Sequence, residues 1–290
     1  MLATLKEVLE KAEQGNYAVG AFNCTSLESG MAIVETAEEL NSPVILQYAD
    51  SHRHLISIDV IGPIMLQLAK LAKVPVVVHL DHGASIESCR HAVDMGFTSV
   101  MYDASAKPFE DNVAETRNVV EYAHERGASV EAELGHILTS KAGAAEGNGK
   151  SYTREEAYTD PEMAKEFIER TNVDALAIGF GTAHGIYTEK PVLDLNHIAL
   201  IKSAKDIPYV MHGGSGLSEE EYRTAIHNGI RKINYYTYLS LAGGRGVMQY
   251  LEDKKDKDAI YFEDIAKAGI TAMKADVKRA MKIFESDGKI

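Results

Sequence analysis

The feature that most limits the fold is an alternation running the length of the chain. Short apolar runs rich in β-branched residues recur, and stretches of helical period separate them. Eight strands are expected, at Tyr17–Asn23, Pro43–Ala49, Pro75–His82, Ser99–Asp103, Ser129–Leu134, Ala175–Phe180, Pro208–His212 and Lys232–Tyr236. Helical patterns such as Glu28–Leu40, Ser85–Met95, Phe109–Arg126 and Glu219–Asn228 fall between them. The strand runs are apolar at successive positions, as parallel strands are when helices cover them. Eightfold alternation closes most simply as an α/β fold of the (β/α)8 TIM-barrel type. A doubly wound open sheet is the alternative, but it favours a Gly-rich turn after the first strand. AVGAFNCTSLESG, at 18–30, lacks the GxGxxG spacing.

Length agrees with one barrel. The 290 residues exceed the roughly 250 that such a barrel needs, which leaves room for extra helices at both ends of a single domain, 1–290. The opening MLATLKEVLEKAEQGN reads as an amphipathic helix with acidic residues rather than a signal peptide. Residues Ala259–Ile290 also look helical and carry Lys274, Lys278, Arg279 and Lys282. The Gly- and Ala-rich segment Ile137–Tyr152 after the fifth strand reads as a mobile lid, with a surface insertion as the alternative.

Charge narrows the partners. With 30 Lys and Arg against 43 Asp and Glu, a formal charge of −13 argues against nucleic acid or an anionic membrane. A phosphorylated small molecule stays compatible, because backbone N–H groups bind phosphate on an acidic protein. The two cysteines, Cys24 and Cys89, form no CxxC pair, so a reducing cytoplasm is expected. No apolar run reaches the roughly 18 residues of a membrane span.

Three strands end in histidine: HLDHG at 79–83, GTAHG at 181–185 and MHGGSG at 211–216. In a barrel those ends open on one C-terminal mouth, so His82, His184 and His212 are expected to converge. Three imidazoles with an open coordination position are the layout of a catalytic zinc site. A glycine follows each histidine, which permits close approach to the backbone. His79, His136 and His197 lack that context and read as supporting residues. Asp81 precedes His82; it either exchanges a proton with substrate or orients a histidine. His212-Gly213-Gly214-Ser215-Gly216 reads as a phosphate cradle feeding a helix N-terminus, with Asn234 and Thr237 beside it.

Taken together, these segments resemble the class II, metal-dependent ketose-bisphosphate aldolases, the fructose- and tagatose-bisphosphate enzymes among them. The resemblance rests on AFN at 21–23, SPVILQ at 42–47, VPVVVHLDHG at 74–83, VMYDAS at 100–105, VEAELG at 130–135, GTAHGIY at 181–187, HGGSG at 212–216, RKIN at 231–234 and FESDGK at 284–289. It implies reversible cleavage of a phosphorylated ketose to dihydroxyacetone phosphate and an aldehyde, through a zinc-stabilised enediolate. It implies zinc on His82, His184 and His212, with Glu133 at an alternative metal position, and a monovalent cation near the phosphate. Asp81 becomes the acid/base at the C4 hydroxyl. Asn23, Gly185, Gly213, Gly214, Ser215, Asn234 and Thr237 become substrate contacts. Glu146, the one acid between His136 and Tyr152, becomes the group that moves a proton at C3. Lys278, with Arg53 as a second candidate, becomes the contact to a second phosphate; a solvated helix face is the alternative. Family habit implies a homodimer or homotetramer. Two positions depart from pattern. Asn234-Tyr235-Tyr236-Thr237 has tyrosine where the family reads NxDT, and Ala49 stands where serine is usual. Both lie where the aldehyde is expected. Epimerisation or isomerisation on the same metal barrel, and a non-catalytic helper subunit, are the competing functions.

Overall fold

The computed structural model describes residues 1–139, 157–187, 190–254 and 259–290. Eight parallel strands close into a barrel: β1 Val19–Asn23, β2 Val44–Ala49, β3 Val76–Gly83, β4 Ser99–Tyr102, β5 Ser129–Leu134, β6 Ala175–Ile178, β7 Tyr209–Met211 and β8 Ile230–Tyr235. Each pairs with the next, and β8 closes the ring on β1 through Lys232↔Val19 to Tyr235↔Phe22. All eight expected strands are present, with ends moved by a few residues. Leu2–Ala3 runs beside the start of β3. Leu138–Thr139 pairs with Ala183–His184 after β6.

The helices are α1 Leu5–Gly15, α2 Leu27–Glu39, α3 Ile58–Leu71, α4 Ile86–Met95, α5 Phe109–His124, α6 Pro161–Thr171, α7 Leu195–Ala204, α8 Glu219–Asn228, α9 Thr237–Lys254 and α10 Phe262–Ile283. Local chemistry starts several of them. Thr4 with Glu7, Ser26 with Ser29, Ser85 with Ser88 and Ser218 with Glu221 form reciprocal caps that satisfy orphan N–H groups. The length of α9 is not evident from sequence, because Gly243, Gly244 and Gly246 weaken it as a helix former. Packing explains at least one of them. A Cβ on Gly246 would stand 2.5 Å from the Cβ of Ala272 on α10, so glycine lets the two helices approach.

Two apolar layers result. One lies between the strands and the surrounding helices. The other fills the N-terminal end of the barrel, where Leu5, Val8, Leu9 and Ala12 of α1 pack on Val19, Ala21, Ile45, Val77 and Val210. Strand alternation then sets the next layers. Two residues on from Ile45 and Val77 come Gln47 and His79, fully buried together with Glu131 and Lys232. Above these, near the C-terminal mouth, stand Asn23, Asp81, Glu133, His212 and Asn234. The barrel is therefore apolar at its base and polar towards its mouth.

Candidate metal and substrate site

His82 and Asp81 are neighbours in sequence and would point oppositely in a regular strand. The backbone resolves this conflict. His82 adopts a left-handed conformation, φ +47°, and the β3–β4 register breaks between Leu80 and Gly83. Both side chains thereby reach the same cavity. Left-handed backbone at a non-glycine residue costs on the order of 1–3 kcal/mol and is concentrated at functional sites.

His82, His184 and His212 converge as expected, with ring centroids 4.6–5.9 Å apart. One nitrogen from each lies within 4.8 Å of the others. Carboxylates hold the far side of two rings. His82 Nδ1 donates to Asp103 Oδ2 at 2.9 Å, which leaves Nε2 facing the centre. His212 Nε2 donates to Glu131 Oε1 at 2.9 Å, and its Nδ1 lies 2.8 Å from His82 Nε2. That pattern, an imidazole turned by a carboxylate on its distal nitrogen, is how proteins orient metal-bound histidine. The donor set of three imidazoles fits a tetrahedral zinc with one open position. A second possible metal group joins His82 to Asp103 and Glu133. Glu133 is buried, with Oε2 3.7 Å from His212 Nδ1.

Electrostatics differ from ring to ring. Burial, reinforced by His82 and Lys232, lowers the His212 pKa well below the usual imidazole value and keeps the ring neutral. Burial also opposes charge on His82, but Asp81, Asp103 and Glu133 outweigh it and raise its pKa well above the usual value. A bound cation would displace that proton. Asp81 is buried too, which alone would raise its pKa. His82, His212 and Lys232 instead bring it to about 2, so it is a carboxylate at neutral pH. Asn234 Nδ2 donates to Asp81 Oδ1 at 2.9 Å. Asn23 Nδ2 and Gln47 Nε2 donate to Oδ2, each at 3.2 Å.

The cavity beside the triad is lined by Asn23, Asp81, His82, His184, Gly185, Gly213, Ser215, Asn234 and Thr237, all singled out from sequence. Ala49, Ser51, His52, Tyr235 and Tyr236 complete its wall. The His52 ring packs on that of Tyr236, centroids 4.6 Å apart. Gly213 takes φ +64°, and a Cβ there would meet the Ala183 backbone at 2.5 Å. Gly83 faces a different constraint: a Cβ would meet Cys89 Sγ at 2.6 Å and the Met101 carbonyl at 2.7 Å. Packing against β4, rather than ligand approach, explains that glycine.

Other expected residues fall elsewhere. Gly214 packs behind the cradle, where a Cβ would meet Met211 Sδ at 3.0 Å and Ile233 at 3.3 Å. Lys278 pairs with Glu39 across α10 and α2, and it does not line the cavity. Arg53 bonds back to the Asp50 carbonyl at 3.1 Å. Glu146 lies outside the described residues, as does most of the segment expected to be a lid. His79 and His197 are held by Ser99 Oγ at 2.8 Å and the Thr159 carbonyl at 2.7 Å, in keeping with supporting roles. Sequence reasoning overlooked Asp103, Glu131, Lys232 and Tyr187. The alternation in VEAELG, which sets Glu131 and Glu133 on one face, was the available signal for one of them.

A closed (β/α)8 barrel with a polar mouth and a convergent donor cluster belongs to the enzymes that work at the C-terminal ends of their strands. Comparison with known proteins gives the particular family. The family model described as fructose-bisphosphate aldolase class-II matches residues 3–289. The fructose-bisphosphate aldolase of Geobacillus stearothermophilus is 40% identical over 293 residues, covering 99% of this chain and 98% of that one. Protein YdjI of Escherichia coli K12 is 36% identical over 293 residues, covering 100% and 99%. The crystal structure of the YdjI aldolase matches with a TM-score of 0.85 at 35% identity, over 100% and 99% of the two chains. The chain belongs to the class II fructose-bisphosphate aldolase family and is an aldolase, a carbon–carbon lyase. The family is metal-dependent, and the described residues include groups able to hold a metal ion.

Proposed function

We propose that this chain is a zinc-dependent aldolase that reversibly cleaves a phosphorylated ketose to dihydroxyacetone phosphate and an aldehyde. One observation carries the reading: three imidazoles meet beside a cavity in which Asp81 is held as a carboxylate. Zinc on His82, His184 and His212 would supply Lewis acidity, polarising the ketone and stabilising negative charge on its oxygen. Gly185, Gly213, Ser215, Asn234 and Thr237 hold the phosphate end and fix the reacting carbons in one geometry. Asp81 takes the proton of the C4 hydroxyl as the C3–C4 bond breaks, and the bonding pair stays with C3. Proton delivery to C3 then completes dihydroxyacetone phosphate, a step we assign to Glu146. Asn23, Gln47 and Asn234 hold Asp81 in place while it does this.

Fructose 1,6-bisphosphate is the first substrate to test. Ala49, His52 and Tyr236 complete the cavity wall, and we assign their side chains to the aldehyde. A chelator should abolish cleavage, and borohydride should trap no adduct. His82→Ala and His212→Ala should lower kcat by at least a thousandfold, roughly 4 kcal/mol. Full activity in either folded variant would overturn the metal assignment. Dihydroxyacetone phosphate offered with a panel of aldehydes, read by product mass, identifies the partner. A homodimer or homotetramer is our reading of the assembly, supported by the exposed Tyr261 and Phe262 at the start of α10, and sedimentation measures it.

A further inference from the structure

Beneath the triad, the barrel interior holds charged groups for which the chemistry above has no use. Glu131 on β5 stands between two strands. Its Oε1 accepts from His212 Nε2 at 2.9 Å, and its Oε2 lies 2.7 Å from Lys232 Nζ on β8. His79 Nε2 lies 3.6 Å from the same Oε2, and Ser99 Oγ holds the other His79 nitrogen at 2.8 Å. The side chains of His79, Glu131, His212 and Lys232 are all fully buried. Neither Glu131 nor Lys232 lines the substrate cavity.

Such an arrangement is costly unless it is matched. A lone carboxylate or ammonium group in a protein interior costs several kcal/mol, and removing one member of a buried pair strands the other. The bonding roles are also forced. A carboxylate only accepts and an ammonium group only donates. His212 must therefore carry its proton on Nε2, and the Nδ1 lone pair is left facing His82 Nε2 at 2.8 Å, the centre of the triad. A protonated His82 would donate to Nδ1 and hold the same tautomer, so the two supports have to be separated; with both removed, either tautomer and a turned ring would be open to His212.

We propose that Glu131 is the positioning residue for His212, and that Lys232 anchors Glu131 by countercharge, so that the pair orients a metal ligand from inside the barrel without touching substrate. The proposal rests on reading the three histidines as a metal centre. It differs from the Asp103 bond to His82, because here the orienting carboxylate is itself held by a second charge across the barrel.

Two variants separate anchoring from orientation. Glu131→Asp keeps the charge pair with Lys232 but withdraws the carboxylate from His212. The paired change Glu131→Gln with Lys232→Met removes both charges together. Zinc affinity, from competition with a chromogenic chelator, should fall roughly tenfold to a hundredfold in Glu131→Asp. In the paired variant the introduced amide carbonyl can still accept from His212, so the loss should be smaller. Imidazole ¹⁵N shifts of the metal-free protein, taken in a His82→Phe background where no neighbouring ring donates to Nδ1, should show His212 as the Nε2–H tautomer with Glu131 present and as a tautomer mixture once Glu131→Asp is added. A merely structural role would leave both readouts unmoved. Zinc affinity within twofold of the parent together with an unchanged tautomer in Glu131→Asp would overturn the proposal. Neither readout depends on turnover. A parent that binds zinc but cleaves no ketose phosphate refutes the aldolase reading and leaves this one standing; a parent that binds no zinc is still tested by the tautomer.

Discussion

At His82 the chain gives up regular strand geometry to bring two adjacent side chains to one cavity. The left-handed backbone turns both Asp81 and the imidazole towards the mouth, and the register break beside it is the visible consequence. The histidines also make the metal-free protein sensitive to pH in two directions. Burial lowers the pKa of His79 and His212, whereas carboxylates raise that of His82. Below about 6.5, the ordinary imidazole value, the unfolded chain binds protons at 79 and 212 that the native protein does not, so stability falls as pH falls. The contribution of His82 is complete below about 6.5 and is lost as pH rises through its raised native value. In chelator, the thermal midpoint should therefore decline from near pH 6.5 towards pH 5, and again on the alkaline side. His79→Asn should flatten the acid limb; an acid limb of undiminished slope would show that His79 does not contribute.

Among the elements, the segments after β6 and β7 carry two of the three converging histidines and the Gly-rich cradle, and one side chain ties them together. The Tyr187 hydroxyl accepts from the Ala183 N–H at 2.9 Å and donates to the Gly213 carbonyl at 2.7 Å. It thus links the segment bearing His184 to the cradle that follows His212. Tyr222 donates to the next carbonyl, that of Gly214. Tyr187→Phe should cost about 1–3 kcal/mol of stability, because it strands a backbone donor and acceptor. It should raise KM for the phosphorylated ketose more than it lowers kcat, a split that steady-state kinetics measures. The histidine ends and the Gly-rich cradle were legible in sequence, because strand period and glycine punctuation are local signals. The tyrosine tie was not, since it joins positions 26 residues apart through backbone atoms. Nor was the extent of α9, whose glycines make sense only against α10.

For the molecule as a whole, the decisive fact is closure. It places His82 Nε2 against His212 Nδ1 across 130 positions of sequence. The base of the barrel is sealed by α1, whose fully buried Leu9 packs on strand residues that point inwards. Leu9→Ala should destabilise the protein by about 2–5 kcal/mol, read by denaturant unfolding, while zinc affinity changes little because the triad lies at the opposite end. The eight strands and the donors at their C-terminal ends were determined by the sequence alone. Hydrophobic period and the residue types at strand ends are properties of neighbouring positions, and they survive without knowledge of the fold. Tertiary structure alone decided which charges meet inside. Glu131 and Lys232 look like ordinary strand residues until the ring closes, and Lys278 looks like a phosphate ligand until α10 packs on α2 and gives it to Glu39. The reason is physical: a charge finds its partner through space, and in a closed barrel the nearest partner is across the interior rather than along the chain.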